Sequence, residues 1–176
     1  MWGVLNIVEG DASGCDYDYT EKSAEKICRD AAKILGLSLG YTKESEYTTI
    51  SYPFSSTYDT KGCYAYGSGT YKGHVFFGTG GTLAEMKALP TTEGQYRLPQ
   101  DPLLIACLRV AANREKLTFV SAGDYETRGC YAYRMGRHKN EVYYGYGGTY
   151  NARKSKTLRA KKYGTYRPTG FDDCNF

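Results

Sequence analysis

The chain has little of what metal-dependent or histidine-dependent chemistry needs. Its 176 residues include two histidines, His74 and His138, and none of its six cysteines stands in a C-x-x-C pair. Structural zinc sites use closely spaced Cys and His pairs, so no metal site is expected. The histidines do not recur at equivalent places in the duplicated block described below, so no Ser-His-Asp or Cys-His constellation can be assembled. Nothing in the sequence reads as a membrane span. The first ten residues, MWGVLNIVEG, lack the basic n-region and long apolar h-region of a secretory leader. The glycine-rich segments 78–82 and 145–149 lack the Lys-Ser/Thr of a phosphate-binding Walker loop and read as glycine bulges that end strands. The acids between Asp11 and Asp18 miss the register of an EF-hand. A solvated acidic turn is the expected reading.

What is present is written twice. Residues 58–82 read YDTKGCYAYGSGTYKGHVFFGTGGT and residues 125–149 read YETRGCYAYRMGRHKNEVYYGYGGT. They align without a gap at an offset of 67, with 14 of 25 positions identical. Upstream of each lies a weaker match: Cys28, Ala31 and Ala32, then Leu37-x-Leu39, against Cys107, Ala111 and Ala112, then Leu117-x-Phe119. The chain therefore reads as a tandem duplication, with a longer connection before the first block. The expected divisions are an N-terminal arm and strand (1–19), a first repeat unit (20–98), a second (99–149) and a basic tail (150–176).

Helix one is expected over roughly 21–35, where Ala24, Ile27, Cys28, Ala31, Ile34 and Leu35 recur on one stripe. Thr20 is its candidate N-cap and Gly36 its stop. Helix two opens on Asp101 as N-cap with Pro102 at the first helical position. Residues 2–8 read as an opening strand. Residues 62–66 with 75–77, and 129–133 with 142–144, read as hairpins. Gly73 is replaced by Asn140, as expected if the turn needs a left-handed residue there. The fold class is α+β: two tandem helix-plus-β-hairpin repeats on antiparallel sheet.

Six cysteines allow 15 pairings, and the duplication narrows them. One helix cysteine and one GCY cysteine per unit suggest Cys28–Cys63 and Cys107–Cys130, leaving Cys15 and Cys174 to close the chain near its termini. Such a set fits an oxidising compartment, hence a secreted or luminal protein whose leader is absent from this chain. Six reduced thiols buried as small hydrophobes are the competing reading.

The composition holds 19 Tyr against one Trp, and 21 Gly. Strand alternation puts Cys63 and Ala65 toward the helix and Tyr64 and Tyr66, with Tyr131 and Tyr133, on the other face. That face reads either as a flat platform for sugar rings or a partner protein, or as rings covered by a loop such as the 40–57 connection. The net charge of +4 is unevenly spread: six acids lie between Glu9 and Glu25, and seven bases lie within residues 150–170. Arg153, Lys154, Lys156, Arg159, Lys161, Lys162 and Arg167, interleaved with Tyr150, Tyr163 and Tyr166, form a candidate polyanion footprint, partly neutralised if a terminal disulfide brings the acids beside it.

The pattern of a helix with Cys and Ala-Ala, then T-[KR]-G-C-Y-x-Y and V-[FY]-[FY]-G-x-G-G-T, resembles short Cys/Tyr-rich repeats in predicted proteins of diatoms and other microalgae. Cys28, Ala31, Ala32, 60–66 and 75–82 carry it in the first copy; Cys107, Ala111, Ala112, 127–133 and 142–149 carry it in the second. The resemblance implies duplication and an algal origin, and implies no chemistry. The expected function is a non-catalytic binding or structural module without cofactor. Its partner would be a glycan or other polyanion, with nucleic acid ranked lower, or a protein neighbour in an assembly. A small enzyme working between the repeats, through the divergent loops 67–74 and 134–141, is the further alternative.

Overall fold

The computed structural model of the chain describes residues 21–155, 158 and 163–170. The opening strand at 2–8, the Thr20 cap, the acids from Asp11 to Asp18 and the Cys15 and Cys174 pair lie outside the described residues. So do Lys156, Arg159, Lys161 and Lys162 of the basic segment. The described chain combines helices with β-sheet, carries two disulfides, and divides into two compact units, Asp18–Gln100 and Asp101–Phe176, the latter grouped with Met1–Tyr17.

The first unit begins with α1 (Glu21–Ile34), whose buried stripe is Ala24, Ile27, Cys28, Ala31 and Ala32. Its end is a Schellman turn: the Leu37 amide donates to the Ala32 carbonyl and the Gly36 amide to that of Lys33. There follow β1 (Ser38–Leu39), a hairpin of β2 (Tyr41–Glu44) and β3 (Thr49–Tyr52), then β4 (Ser55–Ser56), β5 (Gly62–Tyr66), β6 (His74–Gly78), the short helix α2 (Leu83–Lys87) and β7 (Gln95–Arg97). The sheet order is β1-β6-β5-β7, with β4 also on β6. β5 pairs antiparallel with β6 and β7, whereas β1 and β4 run parallel to β6. The sheet is thus mixed, which corrects the antiparallel expectation. The physical reason is the strand order: β1 and β4 lie beside β6, the second strand of the hairpin, so the chain runs along them, back along β5 and forward again along β6.

The second unit runs α3 (Pro102–Ala112), β8 (Thr118–Gly123), β9 (Gly129–Tyr133), β10 (Glu141–Gly145), α4 (Tyr150–Lys154) and β11 (Thr165–Tyr166), with sheet order β11-β9-β10-β8. β8 is parallel to β10, and β9 pairs antiparallel with β10 and β11. Asp101 caps α3 by accepting from the Leu103 amide at 3.0 Å, with Pro102 in the first turn. The segment expected as a basic C-terminal tail supplies a helix and an edge strand of this unit, and the boundary falls at residue 101.

Each helix is stapled to the first strand of its hairpin, Cys28 to Cys63 and Cys107 to Cys130, both with Cα–Cα of 5.5 Å. The two Ala-Ala pairs sit three and four residues beyond their cysteines. Those are adjacent rows on one helix face, so the one-residue slip in sequence leaves both cysteines facing the sheet. The closed loops, with separations of 35 and 23 residues, contribute about 3–4 kcal/mol each on a chain-entropy account. In the hairpin turns Gly73 and Asn140 adopt φ of +79° and +66°, the left-handed region shared by these two residue types.

The largest difference in length between the units is an insertion in the first. In β8, Phe119 pairs with Val142 and Ser121 with Tyr143, so Val120 is squeezed out at a register shift. In the first unit Leu39 pairs with Val75, and Ser55 and Ser56 pair with Phe77 and Gly78. Residues 40–53, carrying the β2–β3 hairpin, stand where the second unit has the single bulged Val120.

Candidate functional site

The tyrosine face is not the flat platform that alternation suggests. Tyr64 and Tyr131 are 4% and 5% exposed, while Tyr66 and Tyr133 are half-buried. Period-two alternation assigns a residue to a face of the sheet, but not what lies over that face. In the first unit, Tyr58 and Tyr71 from the flanking loops and Tyr52 from the inserted hairpin rise around Tyr64, Tyr66 and Phe76. The six rings line a cavity of about 150 Å³.

Its geometry is box-like. Tyr64 lies nearly parallel to Phe76 at 26°, with centroids 5.8 Å apart. The planes of Tyr58, Tyr66 and Tyr71 stand at 81°, 89° and 86° to Phe76, at 5.6, 5.9 and 5.9 Å. Tyr52 stands at 85° to Tyr71, and Tyr41 meets the same ring edge-on at 5.0 Å. Edge-to-face packing is the favoured aromatic geometry, so the cup is held by its own rings.

Two hydroxyls are committed to the frame. Tyr58 donates to the Pro53 carbonyl, and the Gln95 amide donates to Tyr66 at 2.7 Å while accepting from Thr60 at 2.7 Å. Burial, with the neighbouring Tyr66 and Tyr58, raises the Tyr64 phenol above its ordinary range, which keeps the floor neutral.

The equivalent place in the second unit is chemically different. Tyr131, Tyr133, Tyr125 and Tyr143 repeat the stacked and edge-on arrangement. His138 and Glu141 now replace Tyr71 and His74, and no hairpin supplies a counterpart of Tyr52. Glu141 accepts from His138 Nδ1 at 2.6 Å and from the Tyr143 hydroxyl, and Arg137 Nε donates to His138 Nε2 at 2.8 Å. Hydrogen bonds from Tyr143 and then His138 hold the Glu141 carboxyl below its usual range. Neither histidine is shared between the copies, so the duplication does not point to them. The H-x-x-E-x-Y spacing over 138–143 was the available signal. Both ring nitrogens of His138 are engaged in this network. In the first unit His74 donates through Nδ1 to the Gly40 carbonyl at 2.6 Å.

The basic segment is not a solvated footprint where it is described. Arg153 is 5% exposed, pairs with Asp101 Oδ2 at 3.2 Å and donates to the Gly147 carbonyl at 3.1 Å. The buried Tyr144 hydroxyl shares that carboxylate oxygen at 2.8 Å. Arg167 donates to the carbonyls of Cys130, Ser155 and Ala152 at 2.8, 2.9 and 3.3 Å. Its counterpart Arg97 donates to those of Lys61, Cys63, Ala88 and Glu85 at 2.5–3.2 Å. Lys154 is half-buried. These arginines satisfy carbonyls at the ends of α2 and α4 and along the GCY strands. Charge counting cannot distinguish such internal donors from surface cations. The recurring G-[QT]-Y-R at 94–97 and 164–167 was the sequence signal for them.

Among the described residues no cluster of His, Cys, Asp and Glu has the arrangement of a metal site, and no helix is long and apolar enough to cross a membrane. Comparison of the chain with protein-family models, with curated proteins and with solved structures finds no match.

Proposed function

We propose that the chain is a non-catalytic binding module built from two copies of one helix-plus-hairpin unit, of which the first carries the binding site. The shared element order and strand order, the matching disulfides and the 67-residue offset support the duplication. Two disulfides fit an oxidising compartment, and secretion or residence in a lumen is the corresponding placement. The observation that carries the binding reading is the cup. The insertion at residues 40–53 adds a wall of tyrosine, from Tyr52, to a half-exposed aromatic cluster and so shapes it into an open cup. A hairpin serving packing alone would bury its apolar residues, yet Tyr47, Ile50 and Tyr52 are 87%, 46% and 41% exposed.

The non-catalytic reading is supported by disulfide formation at the described cysteines, which leaves them no thiolate. The polyanion half of the expectation has lost Arg153 and Arg167 to internal bonding, so the ligand is assigned to the cup instead. The test is an NMR titration of the oxidised full chain with a panel of neutral oligosaccharides, sulfated glycans and small organic cations. One class should shift the ring resonances of Tyr52, Tyr66 and Tyr71 and leave Tyr133 unmoved. A panel in which no member moves these rings, or one in which a sulfated glycan acts only outside them, refutes the reading.

A further inference from the structure

Resting on the cup as the binding site, we infer that the group it takes is a compact, fully alkylated ammonium: a quaternary amine such as a choline head or a trimethylated lysine. Four features of the cup lead to that class.

First, every residue that lines the open cup is aromatic: Tyr52, Tyr58, Tyr64, Tyr66, Tyr71 and Phe76. Aromatic faces carry negative quadrupole potential, and several faces turned on one volume attract a cation. Second, the walls stand near right angles to Phe76, so a guest inside meets rings from several directions, unlike a guest stacked on a single platform.

Third, the volume of about 150 Å³ is that of an apolar cavity known to take benzene. It accommodates one compact head. A sugar needs directional polar partners around its edge. No carboxylate or amide lines the cup, and the hydroxyls of Tyr58 and Tyr66 are bonded to Pro53 and Gln95.

Fourth, a primary ammonium brings three N–H donors that need acceptors, and burying them unmet is costly. A fully alkylated nitrogen has no N–H to satisfy. Its charge is spread over methyl groups that suit an apolar wall, and the ring faces supply the electrostatic attraction. The second unit lacks the Tyr52 wall, and its Glu141 is bonded to His138 and Tyr143, so its rings should not respond.

The experiment is a ring-proton NMR titration of the oxidised full chain, at constant ionic strength, with choline, with its uncharged carbon isostere 3,3-dimethyl-1-butanol, and with a methyl glycoside. Choline should shift Tyr52, Tyr66 and Tyr71 and bind about fivefold or more tighter than the isostere, the margin a partly desolvated cation–π site provides. Tyr52→Ala, a change on an exposed hairpin, should weaken choline and leave the disulfides and the spectrum outside the cup intact. Equal binding of choline and isostere in the cup overturns the cation class and leaves the cup as a binding site. A glycoside that moves these rings where choline does not has the same consequence. If no compound tested here, and no member of the wider panel, moves them, both the inference and the binding reading fall.

Discussion

Removing the guanidinium of Arg153 should cost the second unit far more than its place in a lysine- and arginine-rich segment implies. Its side chain and that of Asp101 are 6% and 9% exposed, and their nearest approach is 3.2 Å. Arg153→Met leaves the Asp101 carboxylate buried with the Tyr144 hydroxyl and the Leu103 amide but no counterion. Breaking a buried pair by deleting one partner costs about 3–5 kcal/mol, because the surviving charge is stranded. The first unit shows the remedy. At the offset of 67 its buried Phe77 and Met86 stand where the second unit has Tyr144 and Arg153. Replacing a whole buried ionic group by apolar residues of similar size is often neutral or stabilising. The triple variant Asp101→Ser, Tyr144→Phe, Arg153→Met, in which serine retains the α3 cap, should therefore return to within about 1 kcal/mol of the parent. The assay is urea unfolding with disulfides intact, read on amides of α3 and β10. With a slope of about 1–3 kcal/mol/M, the single variant should lower the midpoint by at least ~1 M. A single variant within about 0.5 kcal/mol of the parent, a loss typical of a surface change, refutes the reasoning, as does a triple variant as weak as the single one.

Three further outcomes are expected. Arg97→Lys should destabilise the first unit by about 2 kcal/mol, since charged-group hydrogen bonds are worth about 1.5–3 kcal/mol and a point ammonium cannot reach four carbonyls. Hydrogen exchange should show α2 amides losing protection first, and unchanged exchange would count against the arginine as a staple. Gly78→Ala and Gly145→Ala should each destabilise by at least about 1–3 kcal/mol, because a Cβ would fall 1.9 Å from the Thr60 carbonyl oxygen and 2.0 Å from that of Thr127. Wild-type midpoints in urea would refute this. From neutral pH upward, the contribution of Tyr64, Tyr131 and Tyr143 to stability should be constant up to the ordinary tyrosine value of 10.0 and decline above it, because burial raises their phenols. The fold holds their neutral form, so the stabilisation is complete below that pH and is lost as pH rises through the raised values. Spectrophotometric titration should show these phenols ionising late, together with unfolding; ionisation of all 19 in one ordinary step would contradict it.

Much of the frame was legible because it rests on local chemistry. The Asp101-Pro102 start, the left-handed turn shared by Gly73 and Asn140, and the placing of one helix and one strand cysteine per unit can all be read from residue types at fixed offsets. What was illegible depends on partners distant in sequence. The strands after each helix show as Leu37-x-Leu39 and Leu117-x-Phe119, but their parallel pairing with β6 and β10 leaves no local mark. α2 and α4 are five residues long, too short for periodicity, and their caps at Thr82 and Thr149 were hidden in a glycine-rich run. Alternation puts Tyr64 and Tyr131 on the correct side of their strands but leaves an open platform and loop-covered rings equally open; the rings that cover them come from loops and, in the first unit, from the 40–53 insertion. The internal partners of Arg153 and Arg167 are not legible, because composition records charge and not the carbonyl or carboxylate it faces: the neutralisation expected from the acids of 9–25 comes instead, for these two, from Asp101 and backbone carbonyls.

The account rests most heavily on the inserted hairpin as the wall that completes the cup. Replacing residues 40–53 with a single valine gives the first unit the connection that Val120 makes in the second. The direct measurement is choline binding to this variant by ring-proton NMR, with the Cys28–Cys63 bond verified by intact mass. The account predicts a stapled, folded unit that no longer responds to choline. Undiminished binding, with the same shifts at Tyr66 and Tyr71, would contradict it.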